Sequence, residues 1–166
     1  INSYNQVKVA FLPSFMGVDI RISSIEKSNF NSFNQELLPI IEEYYYGENN
    51  IELEDVVVKL LHKHNLSIAT AESCTGGLLG DRLTNVSGVS NNYKGGAITY
   101  SNQMKIDMLG VNESTIQKFG AVSEQTAEEM AIGAQKTFLS DIGISTTGIA
   151  GPTGGSKEKP VGLVYI

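Results

Sequence analysis

The chain has 166 residues, enough for one ordinary domain or for one domain with a small appendage. Hydrophobic residues make up 41% and charged residues 18%, so the chain can bury a real core and is not a disordered tail. Twelve basic against 18 acidic residues leave a formal charge of −6, which speaks against nucleic acid as a partner but leaves room for a small anionic ligand.

Residues 7–12, "VKVAFL", and 18–25, "VDIRISSI", alternate and are rich in β-formers, with turn chemistry in "PSFMG" between them. A helix is expected over 30–45, carrying Phe33, Leu37, Leu38, Ile41 and Tyr44 at helical spacing, with Pro39 weakening its middle. This α/β unit is too small for a sizeable core of its own. The stretch "YYYGENN" marks a boundary, so a small α/β subdomain at 1–48 is expected to precede a main domain at 49–166.

From residue 51 the pattern changes. Leu53, Val56, Val57, Leu60 and Leu61 line one face of an amphipathic helix. Then come a short buried strand, "SIATA" (67–71), and a helix beginning in "GGLLGDRL". A second strand, "GGAITYS" (95–101), leads into the helical "NQMKIDML". Ser123 can cap a long helix whose inner face is Ala127, Met130, Ala131, Ala134 and Phe138. "IGISTTG" (142–148) is a third strand, and a glycine-rich loop joins it to a fourth, "VGLVYI". Strands alternating with helices predict a layered α/β/α domain with a largely parallel sheet, in which ligands sit beyond the carboxyl ends of the strands.

Three strand ends therefore matter. In "AESCTGG" (71–77) a strand turns through Gly76 and Gly77 into a helix, where exposed N–H groups would bind a phosphate or an oxyanion. The plain alternative is a helix capped by Ser73 or Thr75, with Cys74 simply buried. Strand alternation sends Ser73 and Cys74 to opposite sides, so one of the two faces a pocket. In "ITYSNQMK", Tyr100 closes the strand, Ser101 or Asn102 can cap the next helix, and Lys105 lies one turn inside it. Desolvation there would lower the lysine's pKa and make it a general base. A short-chain dehydrogenase pair is rejected: Tyr100 and Lys105 are one residue too far apart, and no early G-x-G-x-x-G follows a strand. "TTGIAGPTGGSKEKPVG" offers a glycine loop shaped around a ligand, or else a flexible surface connection with a charged tip. It lacks the ending of a nucleotide-triphosphate P-loop.

Cys74 is the single cysteine, which excludes an intrachain disulfide and a four-ligand zinc–cysteine site. His62 and His64 sit two apart on a helix and cannot share a face, so neither a histidine triad nor a metal site is expected. A Ser–Lys variant of nucleophilic catalysis remains, without cofactor. No apolar run reaches transmembrane length and no secretory signal opens the chain, so a cytoplasmic protein without a membrane partner is expected. The sequence opens on Ile1 and stops inside an apolar run, and a piece of a longer protein is expected.

The blocks "ATAESCTGGLL", "GGAITYSNQMK", "GAVSEQTAEEMA" and "TGIAGPTGGSKEKPVG", in that order over roughly residues 50–166, resemble the signature of the CinA carboxy-terminal domain family. Its members are nicotinamide-nucleotide amidases. The first 46 residues resemble the segment between the two larger domains of full-length members. The resemblance implies hydrolysis of the carboxamide of nicotinamide mononucleotide, with ammonia released. Ser73 would be the nucleophile, Lys105 the base, and Tyr100 a proton relay or a support for the lysine. Backbone groups at Thr75, Gly76 and Gly77 would hold the oxyanion, and Glu72 would brace the turn. Asn102, Thr147, Gly148, Ala150 and Gly151 would shape the substrate pocket. The resemblance also implies a homodimer, no metal, and two family segments beyond this sequence: a large amino-terminal domain, and a closing strand and helix with an active-site arginine. The competing reading is a non-catalytic pyridine-nucleotide-binding or oligomerisation module.

Overall fold

A computed structural model describes residues 6–49 and 51–166. The chain forms two compact units, one ending at Glu48 and the other beginning at Asn49. In the first, β1 (Val7–Pro13) and β2 (Val18–Ser24) form an antiparallel hairpin with Phe11 opposite Ile20. Helix α1 (Lys27–Ile41) buries Phe33 and Leu37. Pro39 sits in its last turn and the helix stops two residues later, short of the expected end at 45. Tyr44 falls outside the helix and is exposed, its N–H closing a turn on the Ile41 carbonyl at 2.8 Å.

The second unit is built on a four-stranded sheet in the order β4-β3-β5-β6. Strand β3 (Ile68–Glu72) lies at its centre, parallel to β4 (Tyr93–Ile98) and to β5 (Ile142–Gly148). β6 (Val164–Tyr165) pairs antiparallel with the end of β5, over two residues rather than the whole expected run. The sheet is thus mostly parallel, and helices cover both of its faces.

The sheet divides two apolar cores, and strand alternation sorts residues between them. Ala69 and Ala71 of β3, with Ala97 of β4, pack against Leu109, Val111, Met130 and Ala134. Those partners come from α4 (Asn102–Leu109), the turn after it, and α6 (Glu124–Phe138). Ile68 points the other way, into a core with Val58 and Leu61 of α2 (Leu53–His64), Leu83 of α3 (Leu78–Thr84) and Val89. Small alanines on the α6 face let that helix approach closely. Gly133 completes the fit, since a Cβ there would sit 2.1 Å from the Leu109 carbonyl oxygen.

Helix α6 starts where expected: the Ser123 hydroxyl accepts from the Thr126 N–H at 3.2 Å. Sequence reasoning gave no element at α5 (Glu113–Phe119), which is seven residues long and has no buried side chain. A helix without an apolar stripe leaves no periodic signal, although Asn112 with Glu113 is a readable helix start. Among the described residues no helix is long and apolar enough to cross a membrane.

Candidate active site

Strand alternation at the end of β3 sets the site. Ile68 and Glu72 share the α3 face, so the next residue, Ser73, turns toward the α4 face, where Ala69 and Ala71 already lie. There it meets Lys105. The Lys105 Nζ is 3.0 Å from the Ser73 Oγ, and it also donates to the carbonyls of Thr99 (2.7 Å) and Tyr100 (3.2 Å). Lys105 is 1% exposed and Ser73 8%. Ser101, the residue just before α4, fixes where the lysine emerges: its hydroxyl accepts from the Met104 N–H and starts the helix. Burial pushes the Lys105 ammonium pKa below its ordinary value, against an opposing pull from Cys74. The group is surrounded by carbonyl and hydroxyl oxygens rather than by a carboxylate.

Glu72 faces the opposite core and is 2% exposed. Its Oε2 accepts from the Thr75 hydroxyl (2.7 Å) and the N–H groups of Gly77 (3.0 Å) and Leu79 (2.9 Å), and its Oε1 from Gly80 (2.8 Å). The expected brace is therefore a carboxylate seated on the first turn of α3, in the place where an external anion was expected. The single Thr75 hydroxyl proton goes to this carboxylate, so Thr75 accepts from the Thr146 hydroxyl at 2.6 Å. Thr146 was not singled out from the sequence. Only its register opposite Glu72 on β5 reveals it.

This arrangement corrects the oxyanion reading. Gly77 gives its N–H to Glu72 and Gly76 gives its own to the Ser73 carbonyl (3.2 Å), so neither is free. The N–H groups of Cys74 and Thr75 make no hydrogen bond to an oxygen among the described residues. They lie beside the Cys74 sulfur. Burial raises the Cys74 thiol pKa, only partly offset by its own N–H, by Lys105 and by the Thr75 N–H.

A family model described as the CinA C-terminal domain matches residues 50–166. The chain belongs to the CinA family. A competence-damage inducible protein of Caldicellulosiruptor saccharolyticus is 46% identical over 172 residues, covering 100% of this chain and 42% of that protein. A CinA-like protein of Kosmotoga olearia is 58% identical, covering 75% of this chain and 30% of its own length. The chain thus spans less than half of these curated CinA relatives. A crystal structure of a CinA superfamily protein from Klebsiella pneumoniae superposes with a TM-score of 0.66 at 36% identity, covering 70% of this chain and 73% of that one. The competence/damage inducible protein CihA of Agrobacterium tumefaciens gives 0.63 at 48%, covering 68% of each chain.

The other residues expected from the CinA resemblance occupy different places. Tyr100 reaches Lys105 through its backbone carbonyl, whereas the residue is 78% exposed, because β4 ends at Ile98 and the tyrosine lies beyond the sheet. A phenol relay to the lysine is therefore absent from this geometry. Asn102 is the first, exposed residue of α4, and the cap is Ser101. Thr147 is fully buried with its hydroxyl on the Ala121 carbonyl (2.8 Å), so it ties β5 to the turn before α6 instead of facing a ligand. Gly148 packs against Leu163, where a Cβ would meet a carbonyl oxygen at 2.6 Å, and Ala150 and Gly151 begin the loop after β5. His62 and His64 lie on α2, and among the described residues no cluster of three metal-ligating side chains occurs.

Proposed function

We propose that this domain hydrolyses the carboxamide of nicotinamide mononucleotide through a Ser73 acyl-enzyme, with Lys105 as the base. One observation carries the chemistry: a fully buried lysine, paired with no carboxylate among the described residues, stands 3.0 Å from a serine hydroxyl. A neutral amine has two hydrogens and one lone pair. The carbonyls of Thr99 and Tyr100 take the two hydrogens, so the lone pair is left for the Ser73 proton. Resemblance to the nicotinamide-nucleotide amidases supports the substrate.

In the forward reaction the Ser73 Oγ bonds to the amide carbon as its proton passes to Lys105. The oxyanion takes the N–H groups of Cys74 and Thr75. Collapse of the intermediate breaks the C–N bond, and the Lys105 ammonium gives its proton to the leaving ammonia. Water then attacks the Ser73 ester, with Lys105 again taking the proton, and the intermediate collapses to the nicotinic acid nucleotide as Lys105 returns that proton to the Ser73 oxygen. A serine nucleophile suits the site better than Cys74, whose raised pKa disfavours the thiolate that would attack. The test is ammonia release from nicotinamide mononucleotide, together with the mass of enzyme quenched during turnover. An adduct of the whole acyl nucleotide on Ser73, ribose phosphate still attached to the pyridine ring, is expected. Turnover with an adduct on Cys74, or no turnover, would reject the mechanism.

Assembly as a homodimer belongs to the same proposal, supported by the family resemblance. Gel filtration at micromolar concentration is expected to give twice the 17.9 kDa chain mass, and a monomer peak would reject it.

A further inference from the structure

We propose that Lys159 is a positioning residue that latches the glycine-rich loop after β5, making it a fixed wall of the substrate pocket rather than a mobile lid. The proposal rests on the amidase reading above for the pocket's occupant. The sequence leaves two readings of this loop open, one shaped around a ligand and one a flexible surface connection with "SKEK" as its charged tip. In the fold, the Lys159 Nζ leaves the loop and donates to the carbonyls of Phe119 (2.7 Å) and Val122 (2.6 Å), about forty residues away in sequence.

Those acceptors explain the choice of lysine. Phe119 ends α5, so its carbonyl is one of the groups a helix leaves without an internal partner, and the negative end of the helix dipole lies there. The whole turn is satisfied by side chains from elsewhere. Gly120 O accepts from Ser123 Oγ and Thr126 Oγ1, both at 2.9 Å, and Ala121 O accepts from Thr147 Oγ1 at 2.8 Å. Four consecutive carbonyls thus gather donors from α6, β5 and the loop, and Lys159 is the charged one. Gly120 is required for this: it has φ 84° and ψ 162°, and a Cβ would approach the Lys159 Nζ to 3.0 Å.

The loop is otherwise self-contained. It is pinned at its base by Ile149 N–H to Leu163 O (2.9 Å) and Gly162 N–H to Ile149 O (2.8 Å). A small turn at its tip presents the lysine: Ser156 N–H donates to Lys159 O, Lys159 N–H to Ser156 Oγ, and Ser156 Oγ to Glu158. Among the described residues from Ala150 to Pro160, the bonds that leave the loop for another element are those of Lys159. Glu158 is engaged with Ser156, and among the described residues no carboxylate pairs with Lys159. Strand β5 ends two residues after Thr146, whose carbonyl accepts the Ser73 N–H at 2.9 Å, so the strand that leads into the loop is anchored at the nucleophile. Holding it there fixes the pocket before substrate arrives and spares an ordering cost on binding.

Lys159→Met keeps the aliphatic stem and removes the donors, and Lys159→Arg restores a cation able to reach both carbonyls. Hydrogen exchange of the 149–162 segment needs no substrate. It is expected to speed up at least roughly tenfold in Lys159→Met, as local opening becomes easier, and to stay near wild type in Lys159→Arg. For nicotinamide mononucleotide, KM is expected to rise by about tenfold in Lys159→Met with kcat within about threefold, because substrate binding is lost without touching the dyad. Unchanged exchange would overturn the latch whatever the turnover. Faster exchange with an unmoved KM would overturn the pocket-wall role. Absence of turnover in the wild type would reject the amidase reading instead, and exchange would still decide the latch.

Discussion

Ser73→Ala, Lys105→Met and the double variant are expected to lose amide hydrolysis to the same extent, by about 10⁴–10⁶-fold in kcat. The reason is geometric. Ser73 without the amine keeps its proton, and the amine without Ser73 has nothing to deprotonate that also attacks carbon. Two groups acting as one unit are grossly non-additive, so the double variant should fall no further than either single one. Residual activity would come from the N–H groups of Cys74 and Thr75, where one such donor is typically worth about 3–4 kcal/mol. A Lys105→Met enzyme with more than about a tenth of wild-type kcat would exclude the lysine as base, since general-base catalysis is worth about 10²–10⁴-fold.

The same lysine fixes two pH dependences. In the proposed mechanism the amine must be neutral, so kcat/KM is expected to rise with pH through a pKa below the ordinary lysine value of about 10.4, and this limb should vanish in Lys105→Met. Stability follows the proton count. Between the lowered folded pKa and the unfolded value the unfolded chain binds more protons, so stability rises with pH across that window and is flat above it. Denaturant titrations of wild type and Lys105→Met across alkaline pH check the sign.

Glu72→Gln is expected to destabilise the domain by about 2–4 kcal/mol, with a fall in Tm on the order of 10 °C. The change is nearly isosteric, yet all four partners of this carboxylate are donors. An amide NH₂ must face at least one of them. Its least costly orientation points at Gly80, leaving one donor against another in a site that is 2% exposed. The negative charge at the start of α3 is lost as well. Activity should fall with stability, because the same carboxylate orients Thr75, whose N–H is assigned to the oxyanion. A Glu72→Gln variant that melts with wild type would show that the carboxylate does not hold the turn.

Much of this architecture is legible before folding. The 3.6-residue pattern of α2 and the inner face of α6, the Ser123 cap and the buried run of β3 are local signals, and each names its element. The small-residue strand end at 71–77 points to chemistry for a local reason too, since only such a turn lets backbone and ligand approach closely. What sequence leaves open is which donor meets which acceptor. Ser73 and Lys105 are 32 residues apart, and their contact is made by the parallel register of β3 and β4, a long-range property. Gly77 looks free until Glu72 is seen folded back onto α3, and Gly76 until its N–H is seen closing a turn on the Ser73 carbonyl. Tyr100 looks like a relay until β4 ends before it. Lys159 looks solvated until the turn after α5 arrives beneath it. Periodicity determines where elements lie, but hydrogen-bond partners belong to the packed chain, where each buried polar group must find the one acceptor or donor the tertiary structure brings within reach.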